Sequence, residues 1–387
     1  MNNYNFKTVP SIEFGIGSVR SLYKATSSMG IQRPLIVTDA GVVDSGLLEE
    51  PLNALLHEGL EPTVFSDVVA DPPTETILEA VNKALMGKCD GVIGFGGGSS
   101  MDTAKLLSVL MKQEQELGTM YGVGCVTSSR APLIQVPTTA GTGSEVTMVA
   151  IVTTGRNTKS GVVSEVLLAD KVILDPTLTA SLPAHVTAST GIDAMVHAME
   201  AYTSRHLKNP ISDMLAKQAL ELLSSNLCLA VEEPGNVAAR SNMLLGAMLA
   251  GQAFANAPVA AVHALAYPLG GNYHIPHGLS NALVLPQVIR FNSDQAAPMY
   301  LELVPHVLGI DPVDVNAKNV CDKLADFFVS LSRRCGLPTT LKAMDIPYDD
   351  LPNLANEAIL QQRLLVNNPR PVERDDALEI YKRAYED

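Results

Sequence analysis

Apolar and polar positions along the first half of this 387-residue chain switch between two periods. Short β-branched runs, PLIVTDAG, PTVFSDVV and DGVIGFGGG, each give way to stretches with apolar residues three and four apart: SGLLEEPLNALLHEG, TETILEAVNKALMGK and SSMDTAKLLSVLMKQ. Such an alternation predicts β-α-β-α units with a parallel sheet, which binds its ligands at the carboxyl ends of the strands. APLIQVPTT, VTMVAIVTT and KVILDP are expected to extend that sheet. From about Leu182 the strand-like runs stop. ASTGIDAMVHAMEAYTS, ISDMLAKQALELLSSNL, AARSNMLLGAMLAGQAF, NVCDKLADFFVSLSRRCG and DDALEIYKRAYED all carry helical spacing. The expected fold is an α/β domain with a parallel sheet over 1–181 and an all-α domain over 182–387. Their boundary falls in DPTLTASLPAHV, where Pro176 and Pro183 punctuate the chain.

Charge narrows the partners. Lys and Arg number 27 against 41 Asp and Glu, a formal net charge of -14, which repels nucleic acid and anionic membrane. Cys89, Cys125, Cys228, Cys321 and Cys335 are odd in number and widely spaced, without a C-x-x-C pair. Neither a disulfide framework nor a zinc ribbon is expected, and the compartment reads as reducing. MNNYNFKTVP lacks the basic start and apolar run of a signal peptide, so a cytoplasmic protein is expected. No Lys, Arg, Asp or Glu lies between Arg240 and Arg290. That stretch is too rich in Ala and Gly, and too broken by Pro258 and Pro268, to be a span of ~20 strongly apolar residues. Buried helices are expected instead, and any imidazole on them needs a partner.

In DGVIGFGGGSSMDTAK an apolar strand runs into Gly96, Gly97 and Gly98, and a helix is expected to open at Ser99 or Ser100. Glycines let the backbone approach a phosphate, and the free amides and positive end of a helix neutralise it. A dinucleotide pyrophosphate fits this site, and so does a tight turn with an ordinary serine cap. PTTAGTGSE, residues 137 to 145, is a second small, hydroxyl-rich loop after another strand, suited to a ribose or phosphate. Asp39, at the end of PLIVTDAG, is placed either to bind the adenosine ribose or to stand as a solvated turn aspartate.

In GIDAMVHAMEAYTS, Asp193 and His197 stand four apart on one helix face. HALAYPLGGNYHIPHG adds His263, His274 and His277, with His263 and His277 on either side of a Pro- and Gly-broken turn. Two helices joined there could present both rings to a third helix carrying Asp193 and His197. Three neutral nitrogens and one anionic oxygen suit Fe(II) or Zn(II), and suit Ca or Mg poorly. One carboxylate against a divalent ion leaves net positive charge, which stabilises an alkoxide. At this level two plainer readings stay open: Asp193 and His197 as a helix-surface pair, and His263 as a core histidine.

GFGGGSSMDTAK, VPTTAGTGSEVT, TGIDAMVHAMEAYTS and HALAYPLGGNYHIPHG, in that order, resemble the iron-containing (group III) alcohol dehydrogenases. The likeness runs from FGIGSV to NPRPVERDDALEIYKRAYED. It implies the dehydroquinate synthase-like fold of that family, an N-terminal dinucleotide-binding α/β domain followed by an all-α domain for metal and substrate. Carried over by position, it implies Asp193, His197, His263 and His277 as ligands of Fe(II), alternatively Zn(II). It implies Gly97, Gly98 and Ser99 on the pyrophosphate with Asp102 behind them. Thr138, Thr139 and Thr142 then line the cofactor channel, with Lys159 as a further contact. Asp39 matches the family's ribose-binding acid, which favours NAD. The implied activity is NAD(H)-linked oxidation of small primary alcohols or diols, or the reverse aldehyde reduction, by hydride transfer from a metal-bound alkoxide in a homodimer or higher homo-oligomer.

Two kinds of alternative remain. Glycerol dehydrogenase, maleylacetate reductase and hydroxyacid-oxoacid transhydrogenase share the fold with other chemistry, and a binding protein could keep the fold with none. Two positions also depart from the pattern. Tyr267 stands where members resembling lactaldehyde reductase and propanediol dehydrogenase often carry a histidine considered a proton carrier, and Asp71 stands where Asn is common. The catalytic proton is therefore assigned to His274 or Tyr267, or to the nicotinamide ribose. Tyr267 is the poorer shuttle near neutrality, because an unperturbed phenol has a pKa of ~10.

Overall fold

Leu35, Ile36 and Val37, like Val92, Ile93 and Phe95, are wholly buried, and burial on both faces is what draws such runs to the middle of a parallel sheet. The computed structural model describes residues 3–155, 158–316 and 319–386. These divide into two compact units: Lys7–Ser181, and the residues from Leu182 onward together with those before Lys7.

The first unit carries the strands β1 (Ile12–Phe14), β2 (Pro34–Val37), β3 (Thr63–Phe65), β4 (Gly91–Gly96), β5 (Gly122–Val123), β6 (Leu133–Pro137), β7 (Val149–Thr154), β8 (Thr158–Val163) and β9 (Lys171–Leu174). Its helices are α1 (Leu22–Ser28), α2 (Ala40–Asp44), α3 (Glu49–His57), α4 (Thr74–Met86) and α5 (Gly98–Leu110). Six strands form one sheet in the order β1-β9-β6-β4-β2-β3, with every neighbouring pair parallel. From β2 the chain moves outward to β3, and from β4 it moves the opposite way to β6. The loops that leave β2 and β4 therefore part over the switch point of the sheet, the place where open α/β sheets bind ligands.

VTMVAIVTT does not extend this sheet. Val149–Thr154 pairs antiparallel with Thr158–Val163, and with β5 these strands make a separate three-stranded sheet in the order β5-β8-β7. The physical reason is one-sided burial. Ala150 and Val152 are fully buried while their neighbours stay partly exposed, as suits a strand covered on one face only.

The second unit is helical: α6 (Ala184–Thr203), α7 (Pro210–Glu232), α8 (Val237–Asn256), α9 (Ala261–Tyr273), α10 (His277–Phe291), α11 (Ser293–Leu308), α12 (Val320–Arg334), α13 (Leu351–Ala358), α14 (Gln362–Leu365) and α15 (Arg374–Glu386). From Thr187 onward α6 is buried at nearly every position, because α7, α8 and α10 all pack against it. A helix buried on every side belongs at the centre of its unit, and the polar groups α6 carries there must find partners inside it. The uncharged stretch forms α8, α9 and most of α10. Among the described residues no single helix is long and apolar enough to cross a membrane; α8 and α9 reach that composition only as a pair bent by 107°.

Candidate functional site

In the first unit, β4 delivers Gly96 to the switch point and Gly97 caps α5, which opens at Gly98, slightly before the serines expected to start it. Gly98 is required by close approach. A Cβ there would come within 2.7 Å of Thr142 Cγ2, and one at Gly97 would meet Thr139 Cγ2 at 3.4 Å. The second loop lies on the first in this way, and Thr138 N donates to the Gly96 carbonyl at 2.9 Å. Asp39 follows β2, the neighbour of β4, and so reaches the same place from earlier in the chain. Its carboxylate accepts from Val42 N at 3.1 Å and from Ser100 Oγ at 3.2 Å. Asp39, Val69, Gly97, Gly98 and Ser99 line one groove.

Asp102 and Lys159 are not among the residues that line that groove. One oxygen of Asp102 accepts from Ser144 Oγ at 2.5 Å and Lys105 Nζ at 3.3 Å, and the other accepts from Ile151 N at 2.9 Å. The fully buried Lys105 also donates to Ser144 Oγ, Thr147 Oγ1 and the Val149 carbonyl. Burial pulls its ammonium down, against the opposing pull of Asp102 and Glu145. Glu145 beside it is buried too, and burial pushes its carboxyl up to about 7. Lys159 pairs with Asp71 Oδ1 at 2.7 Å, and Asp71 N donates to Ser99 Oγ at 3.3 Å. Asp71 has a positive φ of 51°, a conformation Asp and Asn tolerate better than most residues.

In the second unit, Asp193 and His197 of α6, His263 of α9 and His277 at the start of α10 converge. One donor atom from each lies within 4.8 Å of the others. Asp193 Oδ1 stands 4.0 Å from His197 Nε2, 3.9 Å from His263 Nε2 and 3.6 Å from His277 Nε2. The rings of His197 and His263 stack at 4.8 Å, and Phe254 covers the other face of His197 at 4.4 Å. Gly278 makes the convergence possible. A Cβ there would come within 2.4 Å of the Ser189 carbonyl oxygen, so only glycine lets α10 lie this close to α6.

Two residues that the motifs did not single out complete the cluster. Glu200, buried on α6, accepts from Ala260 N at 2.9 Å, Val262 N at 2.7 Å and His263 Nδ1 at 2.7 Å. Asn281 of α10 donates through Nδ2 to Asp193 Oδ1 at 2.6 Å and lies 3.3 Å from both His263 Nε2 and His277 Nε2. Burial pushes the Asp193 carboxyl up, but the three histidines and the Asn281 hydrogen bond outweigh it and the net shift is down. The surroundings therefore hold a carboxylate in the interior among imidazoles and an amide. That donor set and its buried negative charge fit a divalent cation of the Fe(II) or Zn(II) kind. Tyr267, one turn after His263, brings its ring to 6.2 Å from that of His277. His274 ends α9 in the left-handed region, with φ 54°, and is exposed and outside the four-donor cluster.

Comparison with known proteins agrees with this arrangement. The model described as iron-containing alcohol dehydrogenase matches residues 10–176, and the one described as Fe-containing alcohol dehydrogenase family, C-terminal, matches 187–385. The chain belongs to the iron-containing alcohol dehydrogenase family. As a member, it is an oxidoreductase of the alcohol dehydrogenase and aldehyde reductase type. It is 40% identical over 381 residues to long-chain-alcohol dehydrogenase 1 of Geobacillus thermodenitrificans, covering 97% of this chain and 95% of that one. It is 35% identical to sulfoacetaldehyde reductase of Bilophila wadsworthia, covering 98% of each. Among solved structures, a 1,3-propanediol oxidoreductase superposes with a TM-score of 0.95 at 31% identity, over 99% of this chain and 100% of that one. Sulfoacetaldehyde reductase of Bifidobacterium kashiwanohense in complex with NAD+ gives 0.87 at 29% identity, over 100% of each chain.

Proposed function

We propose that this protein is an NAD(H)-dependent dehydrogenase of small primary alcohols or diols that also reduces the matching aldehydes. Asp193, His197, His263 and His277 hold Fe(II), or Zn(II) in its place. The observation that carries the reading is the cluster of three imidazoles, two of them buried, around one buried carboxylate. A divalent ion there supplies the positive charge that favours the ionised form of an alcohol, and NAD supplies the hydride acceptor.

Binding, orientation and proton handling fall to residues of this chain. The amides of Gly97, Gly98 and Ser99 at the start of α5 take the pyrophosphate. Asp39 takes the ribose hydroxyls and repels a 2'-phosphate, which favours NAD over NADP. An NAD+ complex of a relative at 29% identity supports the cofactor. Thr138, Thr139 and Thr142 line the cofactor channel. Asp102 with Lys105 braces α5 beneath it, and Lys159, through Asp71, steadies Ser99. The absence of any cation between Arg240 and Arg290, where two of the four donors lie, favours an uncharged alcohol over a sulfonate or carboxylate. Tyr267 and His274 are the proposed proton carriers. Tyr267→Phe and His274→Ala should each slow turnover with metal content unchanged; full turnover in either variant removes that residue from the relay. The proposed assembly, a homodimer or higher homo-oligomer, is read by light scattering.

The reading is tested by a panel of alcohols and aldehydes with NAD and NADP, on protein reconstituted separately with iron and zinc. Turnover of primary alcohols with NAD is expected, and inactivity toward the whole panel with either metal would reject it.

A further inference from the structure

We infer that Glu200 is the positioning residue of the metal site: its buried carboxylate fixes His263 as an Nε2 donor and adds a second negative charge behind the ligands. This inference rests on the proposed metal-binding role of the four-donor cluster.

Glu200 stands three residues after His197 and seven after Asp193, so all three side chains leave α6 on one face. It is 5% exposed, yet it is not one of the four donors, because its oxygens are turned to α9. Oε1 accepts from Val262 N, and Oε2 accepts from Ala260 N and contacts His263 Nδ1 at 2.7 Å. A carboxylate oxygen can only accept, so Nδ1 carries the proton and Nε2 keeps its lone pair. That lone pair points into the cluster, where Nε2 lies 3.9 Å from Asp193 Oδ1. The same carboxylate ties down the first amides of α9, so the helix carrying His263 and the tautomer of His263 are set by one group.

The field at the site changes with it. Asp193 alone leaves a divalent ion with one net positive charge. Glu200 leaves the charge of the four donors themselves unchanged, but through the His263 ring it sets a second negative charge behind them, which strengthens retention of the ion and makes His263 the more basic donor.

The test is metal affinity of the full-length protein, measured with Co(II) and Zn(II) against a competing chelator, together with the Co(II) absorption spectrum and the melting temperature of the metal-free form. Glu200→Gln keeps the shape, removes the charge and sets an NH2 against N–H donors. It should weaken affinity about 10- to 100-fold and shift the Co(II) bands. Glu200→Asp keeps the charge on a shorter stem and should recover part of the affinity. It also serves as the test variant if the Gln form does not fold. Wild-type affinity and bands in whichever variant folds overturn the inference, as does a lower melting temperature with affinity unchanged, the signature of a residue that only caps α9. Asp193→Ala separates the parent reading. If the wild type takes up no metal, or Asp193→Ala retains it, the metal-binding role fails first and the inference with it. If Asp193→Ala loses metal while Glu200→Gln holds it normally, only the inference fails.

Discussion

Asp193 Oδ1 has three imidazole nitrogens within 4.0 Å and an amide donor at 2.6 Å. Each of the three imidazoles is positioned by something else: His263 by Glu200, His277 by the glycine that follows it, and His197 by the ring of Phe254. Asp39 is the matching residue of the other unit, anchored by Val42 N and Ser100 Oγ while it lines the groove beside the glycine loop. Asp39→Ala should weaken NAD binding about tenfold, the worth of a hydrogen bond to a charged group. It should also lift the repulsion toward NADP, so the ratio of kcat/KM for NAD to that for NADP should fall. An unchanged ratio would remove Asp39 from cofactor selection. Glu200 and Asn281 were legible in principle, because each stands at helical spacing from one of the four candidate donors, three after His197 and four after His277. Glu200 lies within GIDAMVHAMEAYTS and Asn281 just beyond HALAYPLGGNYHIPHG, but a glutamate or asparagine at such a spacing carries no sign of which partner, on another helix, it meets.

At the scale of elements, period alone located most of the architecture. β2, β3, β4, β6 and β9 fall in the runs read as strands, and α6, α7, α8, α12 and α15 in the stretches read as helices. Strand pairing was less legible. Val149–Thr154 is apolar enough for a sheet interior, yet its alternating burial fits a hairpin edge, and which sheet it joins depends on partners distant in sequence. The approach of α10 to α6 was likewise not legible, since it depends on contact between Gly278 and the Ser189 carbonyl, 89 residues apart by their positions in the chain. Gly278→Ala is expected to force these helices apart. It should cost about 1–3 kcal/mol, the usual price of overpacking, and weaken metal binding by moving His277. Urea melts and metal titration on the same preparation check both effects, and a variant as stable and as avid as the parent would show that the close approach is dispensable.

At the scale of the whole molecule, stability should carry the mark of Glu145. Its carboxyl ordinarily titrates at 4.5 but is held up to about 7 by burial in the fold, so the folded chain keeps a proton that the unfolded chain has lost between those values. Stability from this group is therefore greatest at low pH and falls as pH rises from 4.5 through about 7. The loss is at most on the order of 3 kcal/mol. Urea melts at pH ~5 and ~8 should show a larger loss in the wild type than in Glu145→Gln, whose side chain does not titrate; equal losses would contradict the shift. The central claim, that a divalent ion on Asp193, His197, His263 and His277 is required for NAD-linked alcohol oxidation, concerns the whole molecule as well. It is tested most directly by following NADH formation from a primary alcohol on protein stripped with chelator and then reloaded with iron or zinc. The account predicts that stripping abolishes turnover, that one equivalent of metal restores it, and that Asp193→Ala is not restored. Full turnover in the stripped protein, or restoration of the Asp193 variant, would contradict it.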